Sequence, residues 1–552
     1  MHRVAQPTTR TAPPTGYSPD IAATRAALPP DLAARFEAAL PGARSAVLSR
    51  LLGALDREPL PGIASRRTDA AGGTERVTLA DGRVIAFPAA AGRPFARSEP
   101  GLTAHVTRPP AAGGDCVDAT AVHDPGTLIR DLWPTNGLAA EVDNSVANLA
   151  LARAARDPTW PAPPDPAARS AVRRADLAAT AGDPDGPGRL EQLVTDGHPL
   201  HPCCRTRGGM SVADVLAYAP EHRPVIRLRR LRVPPDRWYG DTPPLLYAHP
   251  WQAARLRDRY PWLTDDGETP PVRPLMSLRT VAPLDGGDHY KTAVDVQMTS
   301  AVRTVSPAAV HNGPRLSALL ATLTADLPLS VLSETAAGAV IVDGRPQRHL
   351  AYLRRRAPRA GPGETILPLG AFAVPALLRE AVGTEPYRWF AALATILWTP
   401  LVTVLDRGVA LEAHGQNTLV VLDAGRPVRI LYRDLGGVRV SARRLRAAGV
   451  EAPRLHGDLP TDDPGVLRTK LAAAALGAVA TELITLLARD HDADPARLWA
   501  SVAAAIRAAG TADADALLHD PLPVKATTAM RLAPDPLTDI WASIDNPLAA
   551  SS

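Results

Sequence analysis

Apolar and polar positions change period several times along this chain, and each change predicts a change of element. Between residues 21 and 60, Leu32, Phe36 and Leu40, and then Val47, Leu48, Leu51, Leu52 and Leu55, recur at helical spacing and predict two helices. Residues 76–90 (RVTLADGRVIAFPAA) alternate about Asp81-Gly82, the pattern of a hairpin. Residues 143–155 read as a capped helix, and 157–188 as a Pro/Asp/Gly-rich loop with a short helical piece around 167–179. Strand-like runs occupy 225–233 and 245–248. A strand over 275–281 then precedes a turn at Asp285-Gly-Gly and a second strand from His289. The period of two puts Ser277 and Arg279 on one face, with Lys291 on the antiparallel neighbour. A helix over 387–406 carries Trp389, Phe390, Leu393, Ile396 and Leu397 on one face. It leads into a hairpin, 418–422 and a strand ending at Tyr432, that turns at 423–427. Two Ala/Leu-rich helices, 467–489 and 495–509, precede the last informative stretch, 523–532. Residues 1 to about 20 lack periodic apolar positions and read as a disordered tail.

At 552 residues the chain exceeds one core and calls for several domains, with ample apolar content at 45%. The net charge of +4 comes from 61 basic and 57 acidic residues with no clustered basic face. The one candidate, 223–232, alternates like a solvated strand, and aromatic residues are only 4%, so a nucleic-acid partner is not expected. Cys116, Cys203 and Cys204 are odd in number and form no C-x-x-C pair. They imply neither a disulfide framework nor a zinc site, and fit a reducing, cytoplasmic setting. The first twenty residues have no apolar region of the kind a signal peptide needs. The longest apolar run, 471–488, contains Glu482 and reads as a buried helix, so no membrane is expected. Only three of the 61 basic residues are lysine. A lysine kept in so arginine-rich a chain points to chemistry that needs a compact ammonium. Lys291 and Lys525 fall within polar clusters, whereas Lys470 begins an Ala-rich helix and reads as incidental.

Four clusters carry candidate chemistry. Glu412-Ala-His-Gly-Gln-Asn417 gathers a carboxylate, an imidazole and two amides just before a buried strand, in a chain with only six Gln and six Asn. The bland alternative is a loop whose amides cap backbone groups. Gly197-His-Pro-Leu-His-Pro-Cys-Cys-Arg205-Thr-Arg207-Gly-Gly holds His198 and His201 before prolines, which keeps both out of the helical region. His198, His201, Arg205 and Arg207 there suit an anionic ligand, against a structural turn as the alternative. Ser277, Arg279, Thr280, Lys291, Thr299, Ser300, Arg303 and Thr304 bring hydroxyls and cations to one antiparallel sheet, a cradle for polyphosphate. Neither a P-loop nor a G-x-G-x-x-G fingerprint is present. Lys525 and Arg531, six apart on a bent segment, suit a polycarboxylate.

Small-molecule kinases place H-G-D before a strand and a second Asp for Mg²⁺. Here His414-Gly415, two strands and Asp434 follow that outline, but Gln416 stands where the catalytic Asp would be. Phosphoryl transfer to an alcohol then lacks its base. A carboxylate nucleophile needs none, which points to attack on the α-phosphate of ATP and an acyl-adenylate that an amine opens.

Taken together and in order, the His-Pro-x-His-Pro segment, Ser277-Leu-Arg-Thr280, Lys291 with Thr299-Ser-Ala-Val-Arg-Thr304, Glu412–Asn417, Tyr432-Arg-Asp434 and Val524-Lys-Ala-Thr-Thr-Ala-Met-Arg-Leu532 resemble the NRPS-independent siderophore (NIS) synthetases, the aerobactin-synthetase, IucA/IucC-like family. The resemblance covers roughly residues 140–535; residues 1 to about 130 match no motif. It implies an α+β, multidomain cupped hand with an antiparallel nucleotide-binding sheet and a mainly helical C-terminal domain. Its parts would be a thumb over 21–210, fingers over 211–384 and a palm over 385–552, often in a homodimer. It also implies an ATP- and Mg²⁺-dependent ligase that adenylates citrate or a related di- or tricarboxylic acid and condenses it with an amine or hydroxylamine in siderophore biosynthesis. Ser277, Arg279, Thr280, Lys291, Thr299, Arg303, Gln416 and Asn417 would hold the nucleotide. His414, Arg303 and Lys291 would serve catalysis, Glu412 and Asp434 the metal, and His201, Arg205, Lys525 and Arg531 the acid. Arg205 stands where the family more often has Lys, and Gly209 where it often has Glu. A kinase-like phosphotransferase and a non-catalytic ligand-binding relative are the alternatives; the latter would be expected to have lost the Lys, Arg or His of these clusters, and none is lost.

Overall fold

The apolar stripe over 387–406 forms the helix Pro386–Asp406, with proline in its first turn where the missing N–H costs nothing. Trp389, Phe390, Leu393, Leu397, Trp398, Leu401, Val404 and Leu405 recur three or four residues apart and are buried. The helix sits at the centre of the largest core, among strands Thr418–Asp423 and Arg426–Tyr432 and helices Pro464–Ala474, Thr481–His491 and Pro495–Ala508. The hairpin is apolar on both faces because both are covered. Val420, Leu422, Ile430 and Tyr432 face that core, while Leu419, Val421 and Leu431 meet Leu332 and Ile366 on the other side. This computed structural model describes residues 18–69, 72–92, 101–109, 119–155, 180, 182–299, 301–535 and 538–551. The expected tail up to residue 17, Cys116, the helical piece around 167–179 and Ser300 lie outside them.

The fold is mixed α+β with antiparallel sheets and a helical C-terminal region. A five-stranded antiparallel meander, beginning Ile63–Thr68 and Thr74–Leu79, includes the expected hairpin at Asp81-Gly82. A six-stranded antiparallel sheet runs in the order Val272–Pro274, Thr280–Pro283, His289–Thr292, Arg345–Arg355, Glu334–Val342, Trp238–Tyr239. A four-stranded sheet lays Glu364–Pro368 and Leu329–Val331 on either side of the buried hairpin, the latter in parallel. The second large core joins the N-terminal helices and meander to Cys203, Cys204, Val294, Val296, Met298, Ala526, Ala529 and Ala542, so first and last parts of the chain pack together.

Several expectations need correction. The two helical patterns within 21–60 are one helix, Pro30–Arg57, which passes through Pro41, and a separate helix, Pro19–Ala27, precedes it. The helix expected from Asp143 starts at Leu138, whose N–H is taken by the Asn136 side chain (2.8 Å). Asp143 lies inside it, paired with Arg130. The run 471–488 belongs to a stretch, Pro464–His491, long and apolar enough to cross a membrane, as is Pro386–Asp406; in both, most of the apolar window is buried in the protein. Within that stretch Ala475–Ala480 is a π-helical turn, and the Ala475 carbonyl accepts from the Trp398 indole (3.1 Å). A side chain at Gly477 would collide with the Pro523 carbonyl, so the glycine lets the segment before Lys525 approach the helix.

Candidate active site

Ser277 and Arg279 do not stand on a strand. Residues 275–279 form a turn between Val272–Pro274 and Thr280–Pro283, closed by Leu275 N–H to Thr280 O (2.8 Å) and Thr280 N–H to Ser277 O (3.2 Å). Thr280 begins the next strand, opposite Lys291. Arg279 reaches sideways from the turn to the carbonyl of Thr304. Thr299 turns the hairpin between Val294–Met298 and Ala301–Arg303 with φ at +51°, and the Arg303 guanidinium donates to its hydroxyl. Desolvation, followed by the neighbouring Arg303, lowers Arg279 to about 10. Desolvation also lowers Lys291 and Arg303.

These cations surround Asp434. Lys291 Nζ lies 2.5 Å from its carboxylate. Burial alone would raise Asp434, but Lys291, Arg279 and Arg355 hold it well below the usual carboxylate range. Its backbone is strained, at φ +73°, where the strand Arg426–Tyr432 gives way to the Leu435-Gly-Gly turn. The buried Glu334 accepts from Leu435 N–H, and burial together with Asp434 pushes it up to about 7.

The opening polar motif forms a tight turn against this group. Gly370 N–H donates to Gly415 O (2.8 Å), an approach that leaves no room for a side chain at Gly415. His414 Nδ1 accepts from Gln416 N–H (3.2 Å), which leaves the ring proton of the neutral form on Nε2. Desolvation lowers its pKa, so His414 is a neutral donor. Glu412 accepts from Lys470 (3.3 Å) and packs against Gly437, on the turn that follows Asp434. Asn417 is buried, and its carbonyl accepts from Arg433 N–H (2.9 Å).

His198 and His201 enter from a third direction. Each uses Nδ1 to accept backbone N–H groups, from Leu200 and His201 in the first case and from Cys203 in the second. His198 is exposed to solvent yet crowded by protein. Desolvation lowers it first, followed by the charges of His414, Arg50, Arg303 and Lys525. The same holds for the buried His201, with His198, Arg303, Arg531 and Arg50 as neighbours. The His-Pro segment, the hairpin Arg303, the His414 turn and the C-terminal Lys525 and Arg531 are therefore close enough to influence one another's charge.

Lys525 pairs with Asp539 (2.8 Å), and Arg531 with Glu141 through both its Nε and Nη2. Lys470 is not incidental: its ammonium lies between Glu412 and Asp539 (3.8 Å), which places all three lysines of the chain at this site. Arg205 does not reach it. Its guanidinium, 4% exposed, donates to Thr195 O, Val194 O and Glu221, so it braces the loop beneath the histidines. Arg207 shares Glu221, whose burial is outweighed by the two arginines and which is held at about 2.

Sequence reasoning passed over Glu191, Glu334, Arg355, Arg433 and Asp539. Arg433 stood inside a quoted motif; the others lie in segments with no local signature. Among the described residues no group of three or more metal-ligating side chains gathers. Two flanking carboxylates, Glu412 and Asp434, nevertheless fit Mg²⁺, which is commonly held by one or two carboxylates together with substrate phosphates. The desolvated Arg279, Lys291 and Arg303 fit those phosphates.

Residues 188–244 and 240–374 match the model of the IucA / IucC family, and residues 387–536 match one described as ferric iron reductase FhuF-like transporter. The chain is 27% identical over 350 residues to staphyloferrin A synthase of Staphylococcus aureus (53% of this chain) and 27% over 346 residues to the rhizobactin siderophore biosynthesis protein RhbC of Rhizobium meliloti (51%). It spans 60% and 59% of the length of these relatives. The fold is that of the petrobactin biosynthesis protein AsbB of Bacillus anthracis, with a TM-score of 0.74, 18% identity and coverage of 95% of this chain and 99% of that one. ATP-bound aerobactin synthetase IucA of Klebsiella pneumoniae aligns with a TM-score of 0.68 and 20% identity over 92% and 99%.

Proposed function

We propose that this chain, which belongs to the IucA/IucC family of NIS synthetases, is an ATP-dependent ligase that adenylates a di- or tricarboxylic acid of the citrate class and joins it to an amine or hydroxylamine in siderophore synthesis. The observation that carries the reading is the meeting of two unlike sets of cations and hydrogen-bonding groups. Arg279, Lys291 and Arg303 surround Asp434, and Lys525 and Arg531, with the uncharged His198 and His201, lie close to Arg303 and His414. One set suits a polyphosphate and the other an organic polyanion.

In the reaction so assigned, a carboxylate oxygen of the acid attacks the α-phosphorus of ATP and the bond to pyrophosphate breaks. The amine then attacks the acyl carbon, AMP departs and the amine loses a proton. Arg303 compensates charge growing on the α-phosphoryl oxygens and the Nε2–H of the neutral His414 donates a hydrogen bond to them, both being in place before the substrate arrives. Lys291 and Arg279 hold the leaving phosphates. Mg²⁺, held by Asp434 and Glu412, would supply further charge compensation to the triphosphate. Gln416 offers no carboxylate base, and an ionised carboxylate nucleophile requires none.

The test is to supply ATP, Mg²⁺ and citrate or succinate with hydroxylamine, and to identify the nucleotide product. AMP, pyrophosphate and a hydroxamate are expected. ADP would replace this reading with phosphoryl transfer, and absence of turnover with every di- and tricarboxylate would refute it.

A further inference from the structure

One buried carboxylate touches both halves of the nucleotide site. Glu191 ends the short helix Gly186–Glu191 and is 2% exposed. Its Oε2 accepts from Met276 N–H at 3.1 Å, inside the turn that presents Ser277 and Arg279. The same carboxylate takes both terminal nitrogens of Arg433, Nη1 to Oε1 at 2.6 Å and Nη2 to Oε2 at 2.9 Å. Arg433, 3% exposed, then donates Nε–H to Gln416 O (3.0 Å) and its backbone N–H to Asn417 O (2.9 Å). Gln416 N–H in turn fixes the His414 ring through Nδ1. A continuous run of hydrogen bonds, charge-assisted at Glu191 and Arg433, thus connects residue 276 to His414.

Neither residue is suited to meet substrate. The Arg433 guanidinium spends its Nε, Nη1 and Nη2 inward on Gln416 and Glu191, and Glu191 spends both oxygens on Arg433 and Met276. A neighbouring tie fixes the helix itself: Gln192 donates through Nε2 to Pro274 O (2.8 Å) and accepts at Oε1 from Arg273 Nη1 (3.0 Å), while Arg273 also pairs with Asp185. The helix is therefore anchored to the strand before the turn, and Glu191 carries that anchorage across to the His414 loop. A bidentate pair is directional, so it sets distance and angle together. An ion pair this buried is weak evidence for net stability, which leaves register as its better-supported use.

We propose that Glu191 and Arg433 are positioning residues that lock the 275–280 turn and the 414–417 turn in one register, so that the cations of the first and His414 of the second address the same nucleotide. The nucleotide part of this statement rests on the function proposed above; the mechanical coupling does not.

The test uses the full chain with Glu191→Gln, which keeps size and one acceptor but removes the charge. The double variant Glu191→Gln/Arg433→Gln covers the case in which an unpaired buried guanidinium prevents folding. Hydrogen exchange in the unliganded protein should rise about tenfold or more at amides of both turns, 276–280 and 416–418, with little change in the helix Pro495–Ala508. The KM for ATP should rise by a similar factor while the KM for the acid stays within about twofold, a split that a loss of folded protein would not produce. Faster exchange at Met276 alone, or unchanged exchange at 416–418, would overturn the coupling. A wild-type protein that binds no nucleotide would refute the proposed function, while the exchange result would still decide the coupling.

Discussion

Glu58 links the two ends of the chain, and its ionisation can be followed in the stability of the protein. It follows the helix Pro30–Arg57, is 4% exposed, and accepts through Oε2 from the N–H groups of Thr528 and Ala529 at 2.8 Å each. Those residues open the helix Thr527–Leu532, which carries Arg531. Burial pushes Glu58 from its ordinary 4.5 up to about 7, against the opposing pull of the Ala529 N–H, Arg57 and the Thr528 N–H. Below pH 4.5 the folded and unfolded chains are both protonated at this site. Between 4.5 and about 7 the folded chain holds the proton more tightly, so stability falls as pH rises, and the loss is complete above about 7. At about 1.4 kcal/mol per tenfold change in acidity, the full term is about 3 kcal/mol. Glu58→Gln keeps an oxygen for the two N–H groups and removes the ionisation. It should match wild type within about 1 kcal/mol at pH 5 and exceed it by about 2–3 kcal/mol at pH 8, less a pH-independent cost for the buried amide. Glu334 and Glu482, also pushed up to about 7 by burial, are present in both proteins and cancel in the difference. Denaturant titrations of both proteins from pH 5 to 8 measure the gap. A gap that does not widen with pH, or a wild type more stable at pH 8, would refute the reasoning.

Arg303→Ala and His414→Ala should each abolish AMP formation while leaving the circular dichroism spectrum and melting temperature near wild type; retained turnover in either would remove that residue from the proposed chemistry. Arg205→Ala should destabilise the fold by about 3–5 kcal/mol, because it leaves Glu221 buried with half its compensation and strips donors from two buried carbonyls. The acid KM of the folded fraction should not move, and a large rise in that KM with unchanged stability would restore Arg205 to the substrate.

The elements most legible in the sequence were those whose period is set by one neighbour on each face. The helix Pro386–Asp406 and the hairpin Thr418–Asp423 with Arg426–Tyr432 stand where alternation and apolar stripes put them. The 275–281 stretch was misread because alternation cannot distinguish a strand from a turn whose ends pair with one another: Leu275 and Thr280 close on themselves. Arg205 was misread for a related reason. Arginine beside histidine signals anion binding only when no internal carboxylate claims it, and Glu221 lies sixteen positions further on, outside the cluster. Glu191 and Arg433 lie 242 positions apart; Arg433 sits in the Tyr432-Arg-Asp434 motif but Glu191 in no local pattern, so only the folded chain shows that they touch.

The division of labour between lysine and arginine gives these contacts a common physical reading. The buried arginines near the site, Arg205, Arg207 and Arg433, each use the planar fork on several internal acceptors at once and are fixed by it. The three lysines each meet carboxylates as point charges: Lys291 with Asp434, Lys525 with Asp539, and Lys470 between Asp539 and Glu412. An ammonium on a flexible stem can turn from one oxygen to another without losing a matched pair of bonds, whereas a guanidinium held at both ends cannot. In the proposed reaction Asp434 and Glu412 would hold Mg²⁺ and Lys525 would meet the acid, so each lysine would exchange part of a carboxylate contact. Lys525, Asp539, Lys470 and Glu412 alternate in sign along one run of ion pairs, so a new charge beside it can be met by a shift of one ammonium. Arginine at any of these three positions would keep the charge but lose the freedom to exchange partners, which accounts for lysine surviving here in a chain that uses arginine nearly everywhere else.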